Sequence, residues 1–60
     1  MDRVMTRYEL KAIRVAHGLT QESMAERVGL SWRQYQRIES GNSRVDETLA
    51  KLVRLLFALP

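Results

Sequence analysis

Four side chains between residues 32 and 37 hold most of the recognition chemistry this sequence can offer. In the stretch "SWRQYQRIESG", Ser31 to Gly41, the residues Trp32, Arg33, Gln36 and Arg37 share an arc of about 140° on a helix turning about 100° per residue. Tyr35 and Ile38 fall on the other side, near about 300° and 240° on the same wheel. A guanidinium presents planar, forked donors, and a Gln amide offers both a donor and an acceptor. Two Arg and a Gln are ordinary on a solvated helix face. An exposed Trp is not, unless something covers it. Trp and Arg also dominate protein–protein contacts, so the face by itself admits either kind of partner.

Other chemistries find little material. There is no Cys, and His17 is the only His, so a Cys/His zinc site cannot be assembled. Ser23, Ser31, Ser40 and Ser43 supply hydroxyls, but no motif brings a His and an acid to them. No phosphate-binding loop is present. The sequence therefore predicts no enzyme, no catalytic residue, no metal and no cofactor. His17 falls at a helix C-terminus, where positive charge is favoured.

Sixty residues allow one domain. A chain of this length buries only about 60% of the surface its unfolded form exposes, so its stability is expected to be marginal. Disulfides and metals are the usual supports for small folds. With neither, helix packing and oligomerisation remain. Ten Lys and Arg against seven Asp and Glu give a net charge of +3, a mild bias toward anionic partners. No apolar run approaches the length of a membrane span, and "MDRVMTRYEL" lacks the apolar core of a signal peptide. A soluble intracellular protein is expected, and the absence of Cys agrees with a reducing compartment.

The periodicity is helical throughout, with no repeat and no alternating strand pattern. Thr6 and Glu9 form a capping-box pair that opens a first helix running to about His17. Leu10, Ile13, Ala16 and His17 are its inner stripe, and Tyr8, Ala12 and Val15 a second apolar side. Thr20 caps a second helix with Met24, Ala25 and Val28 inward, stopped by Gly29. Ser31 and Gln34 form another capping box, and Tyr35 and Ile38 face inward from the third helix. After "GNSRV", a fourth helix starts at Asp46 or Glu47 and runs to about Ala58. Its core stripe is Leu49, Leu52, Val53 and Leu56. Only "GLS" separates the second and third helices, the spacing of a helix-turn-helix.

The stretch Arg14 to Gly41 resembles the helix-turn-helix of the Cro/phage-repressor (XRE) family. Gln21 opens the second helix as a Gln does there. Ala25 stands where two helices approach, Gly29 stands in the turn, and Met24, Val28 and Leu30 flank it. Tyr35 and Ile38 face in, and "E-x-G" closes the motif at Glu39 and Gly41. The match extends from Leu10 to about Leu56. Three positions depart from the pattern. Tyr35 replaces a smaller aliphatic residue, Val45 replaces a common Pro, and the chain ends where the family has a fifth helix.

The resemblance implies an all-α, compact four- to five-helix bundle of the lambda-repressor-like kind. It would be a single domain over 1–60, with a possible arm at 1–5, the helix-turn-helix at 20–39 and the last helix at 46–59. It implies double-stranded DNA as the partner. The third helix would enter the major groove, with Trp32, Arg33 and Arg37 at base-reading positions and Gln36 beside them. Phosphates would be held by Thr20, Gln21 and Ser31 at helix N-termini and by Asn42, Ser43 and Arg44 in the loop. Capping alone also explains Thr20 and Ser31. Arg14 and Glu39 would form a semi-buried structural salt bridge.

Leu55, Phe57 and Leu59 fall outside the last helix's core stripe and predict a twofold interface, with Phe57 shared with the core. The competing arrangement has Tyr8 and Val15 of the first helix cover them within one chain. A homodimer would set two recognition helices about 34 Å apart over a pseudo-palindromic operator. The sequence thus points to a sequence-specific DNA-binding transcriptional regulator, a repressor controlled by its own concentration, with no small-molecule ligand and no membrane. The alternative is a protein-interaction module, such as an antitoxin that covers a partner protein.

Overall fold

Each helix is opened by a side chain that satisfies the helix's own first turn. Thr6 accepts from the Glu9 backbone N–H at 3.1 Å while Glu9 accepts from Thr6 N at 2.9 Å. Ser31 and Gln34 repeat this reciprocal box at 3.1 and 3.0 Å. Thr20 accepts from Ser23 N, and Asp46 from Leu49 N. Such caps fill backbone donors that a helix cannot satisfy internally.

A computed structural model describes residues 5–57. Four α-helices follow in order: α1 Arg7–Ala16, α2 Gln21–Val28, α3 Trp32–Ser40 and α4 Glu47–Leu56. There is no strand among the described residues. Helix α3 lies against both α1 and α2, and α4 also packs on α2. The shared core is built on Leu10, Met24, Tyr35 and Val53, with Ala25 small enough to let α2 approach its neighbours.

Two glycines set the turns. Gly29 ends α2 at φ +76°, and the Leu30 N–H then closes onto Ala25 O at 2.9 Å. Gly41 ends α3 at φ +93°, and Asn42 N–H closes onto Arg37 O at 2.9 Å. Both are left-handed caps that any residue with a Cβ adopts at a cost.

Several expectations need correction. α1 ends at Ala16, with His17 as its cap. Ala16 and His17 are exposed, because the core lies along Leu10 and Ile13 rather than along the last turn. The His17 ring instead packs on the edge of the core, tilted on Phe57 with centroids 4.7 Å apart. Tyr8, Ala12 and Val15 are exposed, so among the described residues they form no second buried side. On α4, Leu56 is 48% exposed whereas Phe57 is 7% exposed. The reason is Ala50, which is buried at 1%. Its small side chain lets α4 turn the Ala50–Val53 side inward, carrying Leu56 out and Phe57 in.

Met5 is buried in the core at 4%, so an arm spanning 1–5 is not what this residue forms. The rest of that stretch, 1–4, lies outside the described residues, as do Ala58 and Leu59. The described part of α4 ends at Leu56.

Candidate nucleic-acid interface

One carboxylate ties together three helices and fixes how α3 is presented. Glu39, near the C-terminal end of α3, accepts from Arg14 Nε at 2.7 Å and from Arg14 Nη2 at 3.1 Å. Gln21 Nε2 of α2 donates to Glu39 Oε1 at 3.0 Å. The Tyr35 hydroxyl, one turn back on α3, donates to Oε2. Arg14 Nη1 also donates to Leu19 O at 2.9 Å, which pins the connection into α2. The Arg14 and Glu39 side chains are only 13% and 4% exposed.

The electrostatics follow from this geometry. Burial pushes the Glu39 carboxyl up, but the hydrogen bonds from Arg14, Gln21 and Tyr35 outweigh it and hold the group below its usual range. Arg14 is raised, chiefly by its hydrogen bonds to Glu39. Burial, reinforced by the Glu39 contact, pushes the Tyr35 hydroxyl well up, so it stays a neutral donor. The sequence reading missed the roles of Gln21 and Tyr35 as Glu39 partners. For Tyr35 the signal existed: a buried hydroxyl needs an acceptor, and Glu39 stands four residues along the same helix face.

With its inner side locked, α3 turns the rest outward. Arg33, Gln36 and Arg37 are exposed and line one shallow groove with Ser40 and Asn42, with no carboxylate among the described residues of its lining. Trp32, 50% exposed, is not in that groove. It lines a separate concavity beside Glu22, Glu26 and Leu30. Ser43 and Arg44 are exposed in the loop after α3.

The N-terminal residues are more committed than expected. Thr20 caps α2 and donates its hydroxyl to Ser23 Oγ at 3.0 Å. Ser31 is engaged in its capping box. Gln21 has one amide N–H on Glu39, which leaves its second N–H and its carbonyl for other partners. At the last helix, Leu55 is 76% exposed. Phe57, packed in the core, has little surface left for a second chain, and Leu56 takes its place on the outside. Leu59 lies outside the described residues.

A short α2, a three-residue turn and an outward-facing α3 with a basic groove define a class: a helix-turn-helix domain built to meet DNA. The sequence profile of the family described as Helix-turn-helix matches residues 10–58. With most of its length matched, the chain belongs to the helix-turn-helix family of the Cro/phage-repressor (XRE) type, whose members are DNA-binding transcription regulators. No curated protein and no solved structure matched the chain. Among the described residues no helix is long and apolar enough to cross a membrane.

Proposed function

We propose that this protein is a sequence-specific repressor that reads a pseudo-palindromic operator as a homodimer. The observation that carries the reading is the carboxylate-free groove of Arg33, Gln36 and Arg37 on the outward side of α3. Arg33 and Arg37 suit guanine O6 and N7, and Gln36 suits adenine, each good pair being worth about 1–3 kcal/mol of discrimination. Trp32 takes a flanking position, against a thymine methyl or a sugar, since its neighbours Glu22 and Glu26 disfavour a phosphate there. Thr20, Gln21 and Ser31 offer helix N-termini to the phosphates, and Asn42, Ser43 and Arg44 a polar loop. Occupying a promoter represses it without any further domain.

Dimerisation uses the exposed leucines of α4, Leu55 and Leu56. These are also what favours a second reading, a module that covers a partner protein with α4 and Trp32. Salt separates the two. Binding of a short mixed-sequence duplex, followed by fluorescence anisotropy, should weaken steeply as salt rises from about 50 to 200 mM. An affinity for DNA that is absent, or flat with salt, would reject the DNA reading.

A further inference from the structure

Arg7 is held in an unusual way. It opens α1, and its side chain reaches the far end of α3. The guanidinium lies over the Tyr8 ring, with Cζ 4.7 Å from the centroid, and Nη2 donates to Tyr8 Oη at 2.8 Å. On its other side is Gly41. A Cβ at that position would stand 2.9 Å from Arg7 Cζ. The positive φ of Gly41 favours glycine there, and a side chain at that position would also displace the guanidinium.

All of these partners are neutral. Among the described residues the one ion pair is Arg14–Glu39, and the only hydrogen bond from Arg7 goes to Tyr8. Among the described residues the charge is thus held without an acidic partner, and Tyr8 is the one acceptor given for its five donors. No α3 carbonyl accepts from it, which argues against a simple helix cap. The location matters as well. The C-terminus of a helix carries partial negative charge and repels anions. Arg7 beside Gly41 and Arg44 in the following loop add positive charge there.

A shallow groove runs from Arg7 past Ser40 and Asn42 to Arg44, again with no carboxylate among the described residues that line it. Ser40 and Asn42 also line the groove of Arg33, Gln36 and Arg37. The two grooves therefore adjoin at Ser40 and Asn42, one on the outward side of α3 and the other toward the start of α1. We propose that this track carries a phosphodiester strand of the duplex and that Arg7 is a phosphate contact contributed by α1, outside the helix-turn-helix. The inference rests on the DNA-binding reading and extends its footprint.

The test is the salt dependence of binding to a short mixed-sequence duplex and to a duplex enriched by selection. Arg7→Gln keeps length and planarity but loses the charge. It should weaken both duplexes alike and lower the slope of log K against log salt by about one. Arg7→Lys should keep the wild-type slope. In Arg7→Lys, acetylation of the new amine should be blocked by the duplex, a readout that does not depend on the stability of the Gln variant. An unchanged slope in Arg7→Gln, or an amine that the duplex leaves open to acetylation, would overturn the contact while leaving DNA binding intact. A wild-type chain with no salt-dependent binding would overturn the functional reading itself, and this contact with it.

Discussion

Glu39 accepts four hydrogen bonds, two from Arg14 and one each from Gln21 and Tyr35. A carboxylate has about four lone-pair sites, so it is saturated. A filled network of this kind is expensive to break on one side. Arg14→Ala or Glu39→Ala should each cost about 3–5 kcal/mol in denaturant unfolding, and the double variant less than the sum. Additive losses would mean that the pair does not act as a unit. The pH dependence has a definite sign. Glu39 is held below its ordinary value of 4.5 in the fold. Its contribution is therefore complete above pH 4.5 and is lost as pH falls through the lowered value. Glu39→Gln should flatten that acid limb of the melting-temperature profile, and an acid limb unchanged from wild type would remove Glu39 as its source. At this scale the sequence was partly legible. Arg14 and Glu39 came from the family resemblance, 25 residues apart. Gln21, 18 residues from Glu39, left no local trace, because its partner is chosen by how α2 lies on α3.

Helix starts were readable because a cap is a local device. Thr6, Thr20, Ser31 and Asp46 each bond a backbone N–H three residues on, so sequence spacing alone carries the signal. The stop at Gly29 was readable for the same reason. Nothing stands within 4 Å of where a Cβ on Gly29 would be, so a substitution there meets backbone strain and no clash. Gly29→Val should cost about 1–3 kcal/mol, measured as a shift in the denaturant midpoint. A midpoint equal to wild type would contradict the left-handed turn. The rotation of α4 was not readable. Whether Leu56 or Phe57 turns inward depends on Ala50 finding a close neighbour, and an Ala carries little weight in a hydrophobic stripe. The outer side of α1 misled for a related reason. Tyr8, Ala12 and Val15 have helical spacing, but among the described residues no second element buries them.

For the whole molecule, the exposed leucines and the basic groove are two halves of one reading. A small domain with no Cys for a disulfide and with Leu55 and Leu56 on its surface has reason to self-associate. Leu55→Lys should shift sedimentation toward monomer while leaving stability within about 0.5 kcal/mol of wild type, as for other surface changes. A wild-type chain that sediments as a monomer even on its bound duplex would dispose of the dimer and of the palindrome with it. The groove of Arg33, Gln36 and Arg37 makes the central claim, that α3 reads bases. Its most direct test is selection of bound duplexes from a random pool, run in parallel with wild type and the Arg33→Ala/Arg37→Ala variant. The account predicts an enriched two-part palindrome for wild type whose preference is relaxed in the variant. The same weak, salt-sensitive binding from both proteins, with no sequence enriched, would contradict it.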